Sequence, residues 1–280
     1  MGSRHYKETE MNLNKLDSPP SRSPGFSISD LLITVAVVAL LVVSQLAAST
    51  RGSSNSPAEA CRNNLRQLIQ AWQMYGDNSS GKLAPGNGSH PGVIGTWVRG
   101  WLDYRSSYDN INTGHLVDFN DTGTYGHLGP YLKSPNVFRC PSDYSTTVIF
   151  GEHHTRVRSV SMNNWMGGNV YCAQNQFRIY RRFDDVAKPA QRFVILDERA
   201  DSINDSLLLV DMVDRFVDFP GFYHQGGTWV TYADGHADLR RWTDPRTLQG
   251  FQHGTLIPLN QPSPANPDLD WLRARTTELR

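Results

Sequence analysis

The chain has 280 residues, 27 basic and 27 acidic side chains, a formal net charge of zero and 39% hydrophobic residues. Balanced charge with no Lys/Arg stripe interleaved with aromatics argues against a nucleic-acid partner. The apolar fraction suffices for one globular core behind a single greasy segment. Cys61, Cys140 and Cys172 lie far apart and form no CxxC pair, so their spacing supports neither a zinc site nor a thioredoxin-like motif and suits an exported protein with at most one disulfide.

In chain order, residues 1–25 are polar and nearly balanced in charge, with Arg4, Lys7, Lys15 and Arg22 against Glu8, Glu10 and Asp17. They orient a following apolar helix only weakly. Leu31 to Val43 reads LLITVAVVALLVV, and no charge appears between Leu31 and Thr50. That length suits roughly 20 helical residues crossing a hydrocarbon core. An ordinary secretory signal cut near Ala47-Ala48-Ser49 is the alternative. The order Gly25, Phe26, Ser27-Ile28-Ser29, Asp30, and only then the apolar run, speaks against it, because a signal peptide has no use for a carboxylate there.

Pro24-Gly25-Phe26-Ser27-Ile28-Ser29-Asp30-Leu31-Leu32 resembles the type IV prepilin and type II secretion pseudopilin families. The resemblance implies cleavage between Gly25 and Phe26, N-methylation of Phe26, and a fifth mature residue, here Asp30 instead of the usual glutamate, that serves assembly. It implies a leader over 1–25, a transmembrane and polymerisation helix over 26–50, and an extracytoplasmic domain. Its implied partners are a prepilin peptidase, copies of the chain and other pseudopilins, and an inner-membrane assembly platform. The implied location is the inner membrane, single-pass, with the globular domain in the periplasm or on the cell surface.

Residues 51–57 are flexible and helix-breaking and predict a hinge. Ser56 as cap and Pro57 in the first turn then start a second helix, with Cys61, Leu65, Leu68, Ile69, Trp72 and Tyr75 at helical spacing on a core face. The stretch Cys61 to Pro85, Phe138-Arg139-Cys140-Pro141-Ser142-Asp143, and His224 followed by nine residues and Asp234-Gly235 resemble a pseudopilin-like group with an H-x9-DG C-terminal domain. Residues 97–131, rich in Gly, Asn, Asp and aromatics, predict a long loop excursion. Strands are predicted over 156–162, 192–196, 206–210, 228–232 and 236–242, with a tight I′ hairpin turn at Asp234-Gly235. The proline-rich 257–267 predicts a surface wrap.

The expected fold is therefore α+β and pilin-like: a long N-terminal transmembrane helix packed on an antiparallel sheet with large loop insertions. The expected function is a structural filament subunit and not an enzyme. The alternative is a membrane-anchored extracytoplasmic binding or hydrolytic protein using the same leader. His153, His154, His224, His236, Asp234, Asp197 and Glu198 offer metal-ligand chemistry without HExxH-type spacing; His224 reads as fixing a loop before the hairpin, and Asp197-Glu198 as ending a strand. Asp201, Asn204 and Asp205 supply hard oxygens for a calcium site or, as the blander reading, Asx turns. Cys140 can pair with Cys172, while the family resemblance favours a Cys61 to Cys140 bridge.

Overall fold

The computed structural model describes residues 27–49, 56–87, 95–119, 126–168 and 176–280, the side chains of 40–49 excepted. The leader, Phe26, the greater part of the expected hinge (51–55) and Cys172 lie outside the described residues. The chain divides into two units, residues 1–54 and 55–280.

In the first unit, Ser27 starts helix α1 (Ile28–Ser49). The Ser27 Oγ accepts the Asp30 N–H at 3.2 Å, and the Asp30 carboxylate accepts the Ser27 N–H at 3.0 Å. This reciprocal cap satisfies two donors at the helix start. Every side chain described in α1, over 28–39, is exposed.

In the second unit, α2 (Pro57–Asn78) begins as its sequence predicts, with Ser56 Oγ accepting the Glu59 N–H at 3.2 Å and Pro57 in the first turn. Its buried face carries Cys61, Leu65, Leu68, Ile69 and Trp72. A short helix, α3 (Gly114–Val117), sits within the 97–131 excursion, and α4 (Pro267–Thr276) closes the chain, capped by the Asn266 side chain.

The strands are β1 (Thr146–Ile149), β2 (Glu152–Thr155), β3 (Val160–Asn163), β4 (Phe193–Asp197), β5 (Leu207–Leu208), β6 (Arg215–Phe216), β7 (Gly227–Tyr232), β8 (Ala237–Arg241) and β9 (Gln261–Pro262). The main sheet has the order β5-β3-β4-β7-β8; β1-β2 and β6-β9 form separate two-stranded ribbons. All five residues of β4 are buried, because both sheet faces are covered. One core joins the α2 stripe to Val160, Met162, Val194 and Ile195. The other joins Phe193, Leu196, Val230 and Tyr232 to Leu269 and Leu272 of α4.

The expected pilin-like architecture is not what the chain adopts. No long N-terminal helix is seen among the described residues: α1 and α2 have 22 residues each. Among the described residues no helix is long and apolar enough to cross a membrane. The main sheet is mixed, since β5 pairs parallel to β3, Met162 opposite Leu207, while the other neighbours are antiparallel.

The turn chemistry also differs. Gly235 has φ +95°, but Asp234 is not in the positive-φ region. Gly235 N–H bonds to Tyr232 O and Tyr232 N–H to His236 O, the pattern of a three-residue loop ending in a left-handed glycine, not a two-residue I′ turn. The I′ signature lies at the other end of β7, where Gln225 and Gly226 have φ +53° and +78° and His224 and Gly227 exchange both backbone hydrogen bonds.

Candidate functional site

Four segments distant in sequence converge beneath α2. Cys61 is on the second turn of α2, on the face turned to the sheet. Cys140 follows a 3-10 turn over Pro135–Phe138. Asp197 is the last residue of β4, and His224 opens the I′ turn that leads into β7. The two sulfurs, a carboxylate oxygen and an imidazole nitrogen all lie within 4.8 Å of one another. Exposure is 1% for both cysteines, 0% for Asp197 and 5% for His224.

The contacts are specific. The Cys61 thiol donates to Asp197 Oδ2 at 2.9 Å, and Cys140 Sγ stands 3.3 Å from His224 Nε2. Ser159 links the two pairs: its Oγ accepts the Cys140 N–H at 2.7 Å and donates to Asp197 Oδ1 at 3.0 Å. Thr228 donates to Asp197 Oδ2 at 3.4 Å, and Ser142 N–H points at Cys140 Sγ at 3.4 Å.

Burial pushes the Asp197 carboxyl up to about 7, against the bonds from Cys61, Ser159 and Thr228 that favour its charged form. The neighbouring Cys140 thiol, then burial and the Asp197 charge, push the Cys61 thiol upward. Burial lowers the His224 imidazole. All three shifts favour the uncharged forms, as expected for ionisable groups removed from water. Cys140 and His224 stand at thiol–imidazole distance, yet their low exposure leaves no open face for a substrate. The cluster is chemically suited to holding something, either a cation or, between the two sulfurs, a covalent bond. Both cysteines are free thiols here, so the bridge implied by the family resemblance is not formed, although its two ends are adjacent.

Glu198 takes a different direction from its neighbour. Its carboxylate accepts from Ser161 at 2.6 Å and Ser202 at 2.7 Å, and burial pushes it up to about 8. Of the residues with metal-ligand chemistry singled out in the sequence, Asp197 and His224 come together in the buried cluster, and Asp234 and His236 meet each other at the β7-β8 turn. His153 and His154 are on the β1-β2 ribbon. His236 stacks on Tyr232 at 4.2 Å and contacts Asp234 Oδ1 at 2.6 Å.

Asp201, Asn204 and Asp205 are engaged within the chain. Asp201 pairs with Arg199 at 2.7 Å and accepts the Gln252 N–H at 2.6 Å. Asn204 Oδ1 accepts the Asp205 N–H at 2.5 Å, and Asp205 Oδ1 accepts the Leu207 N–H at 2.8 Å. The bond from Leu207 N–H to Asp205, two residues apart, is the local bond expected of an Asx residue in a turn.

A cavity of about 490 Å³ is lined by Tyr104, Asp143, His153, Tyr223, Phe251 and His253 among others. Neither it nor the four-residue cluster was evident in the sequence. The cluster's members are separated by 79, 57 and 27 positions, by subtraction of their numbers, so no local spacing announces it. No protein-family model, no curated protein and no solved structure matches the chain.

Proposed function

We propose that the chain is a structural subunit, processed between Gly25 and Phe26 and assembled through its N-terminal helix into a pseudopilus- or pilus-like filament. The observation that supports this reading is α1. It exposes Ile28, Leu31, Leu32, Ile33, Val35, Val37 and Val38 behind a start fixed by the Ser27–Asp30 cap. Burial of such side chains is worth about 1.5–3 kcal/mol each, so a helix of this kind gains most by packing against others like it. The reading requires α1 to dock against the corresponding helices of other subunits. A prepilin peptidase, copies of the chain, other pseudopilins and an assembly platform are its proposed partners.

Expression in a host with a prepilin peptidase and assembly platform, followed by shearing and electron microscopy, tests the reading. Short filaments that bind an antibody to the 55–280 unit are expected. A processed chain recovered only as dispersed monomer under assembly-competent conditions would overturn it. A second reading, an extracytoplasmic binding protein, has one observation in its favour, the aromatic cavity bounded by Tyr104, Tyr223 and Phe251.

A further inference from the structure

We propose that Cys61, Cys140, Asp197 and His224 form a structural zinc site that clasps α2 to the sheet. The inference stands independently of filament assembly and rests on three observations. The first is the donor set: two thiolates, an imidazole and a carboxylate are the ligands of four-coordinate zinc, whereas calcium and magnesium take oxygen ligands.

The second is spacing. Zinc bonds of about 2.0–2.3 Å place tetrahedral ligand atoms about 3.3–3.8 Å apart. The cluster has edges of 2.9 and 3.3 Å, and none exceeds 4.8 Å. A small outward movement of Cys61 from Asp197 converts the hydrogen bond into two metal bonds.

The third is the surrounding shell. Ser159 bonds to both the Asp197 carboxylate and the Cys140 backbone, Thr228 supports the oxygen facing Cys61, and Ser142 N–H faces the Cys140 sulfur. Zinc ligands are oriented by partners of this kind. Every ligand is at most 5% exposed, so the site is closed and suits a structural ion instead of a catalytic one.

Binding releases the protons of both thiols, and that of Asp197 where it is protonated, to solvent, while His224 binds as neutral imidazole through Nε2. No redox step is involved. Zinc with two thiolates and a carboxylate leaves one net negative charge, which faces the Ser142 N–H and the hydroxyls of Ser159 and Thr228. The absence of a CxxC pair, which in the sequence spoke against zinc, reflects only that the ligands come from four separate segments. The rival outcome of the same geometry is a Cys61–Cys140 disulfide.

The test uses the full chain, purified reduced and metal-free, then titrated with zinc against a chromogenic chelator and weighed by native mass spectrometry. One zinc per chain and a higher melting temperature are expected. Cys140→Ser and His224→Ala should lose stoichiometric zinc, Ser159→Ala should bind about 10–100-fold more weakly, and His236→Ala should bind as the parent does. Should the ligand variants fail to fold, cobalt(II) added to the unmutated chain decides. Absorption bands of tetrahedral cobalt with thiolate charge transfer support the site; their absence overturns it. Parent-like zinc binding by a folded Cys140→Ser chain overturns it as well. So does a Cys61–Cys140 disulfide that forms even when the reduced chain is supplied with zinc before exposure to air.

Discussion

Replacing Gly235 by valine tests whether the Asp-Gly pair of the H-x9-DG pattern serves the backbone or chemistry. At φ +95°, a β-branched residue costs about 1–3 kcal/mol in backbone strain. The new Cβ would lie 2.9 Å from both the amide nitrogen and the amide oxygen of Gln73 on α2. Gln73 is flexible at that end and can yield, but moving it gives up its 3.3 Å hydrogen bond to Ala233 O, worth about 0.5–1.5 kcal/mol. The sum is about 2–4 kcal/mol, which for a unit of this size lowers the melting temperature by roughly 5–15 °C. Thermal unfolding followed by circular dichroism measures it. Gly235→Ala should lose less, and Gln73→Ala combined with Gly235→Val should fall short of the sum of the single effects, because the collision is then gone. An unchanged melting temperature for Gly235→Val would refute the reasoning, and an accompanying loss of a measurable activity would favour the hydrolytic alternative.

Asp268 is fully buried and accepts the N–H groups of Thr243 and Asp244 at 2.8 Å each and Arg240 at 3.2 Å. Asp268→Ala should therefore cost about 2–5 kcal/mol in chemical denaturation, and a parent-like midpoint would show that water replaces the carboxylate. Glu198 keeps its proton in the native state up to about pH 8, while the unfolded chain releases it near the ordinary 4.5. Stability is then greatest below that lower value and falls as pH rises towards 8, at a slope of up to about 1.4 kcal/mol per pH unit. Glu198→Gln should flatten the decline, whereas an identical slope in parent and variant would exclude this carboxyl as its source. Asp218, also pushed up by burial, adds a decline of the same sign. Asp30→Ala should be cleaved normally yet be depleted from sheared filaments, with Asp30→Glu at parent level; equal incorporation of the alanine variant would remove the carboxylate from assembly.

Local signals carried through from sequence to structure, and long-range ones did not. Helix α2 was legible because its cap, its N-terminal proline and its apolar stripe are all encoded within neighbouring turns. The hairpin β7-β8 was legible from β-branched and aromatic alternation around Gly235. The mixed sheet was not, since the parallel partner of β3 is only two residues long and a parallel pair announces itself only through a crossover. Ribbon β1-β2 was missed because, although β1 is wholly β-branched, its partner β2 carries Glu152, His153 and His154, and the turn between them places Phe150, unusually, at φ +51° before Gly151. Asp197 and Glu198 are adjacent in sequence but, on an extended strand, send their side chains to opposite sides. One joins the thiol cluster and the other bonds to Ser161 and Ser202. Pairing the two as one polar strand end concealed the site.

The most direct measurement of the central proposal is the N-terminus of the mature chain, recovered from the sheared envelope fraction of cells with a prepilin peptidase. Mass spectrometry should find a chain that begins at a methylated Phe26 and retains Asp30 and the whole of α1. A chain beginning near Ser49 would mean that α1 is removed by ordinary secretion, and the filament reading would fall with it.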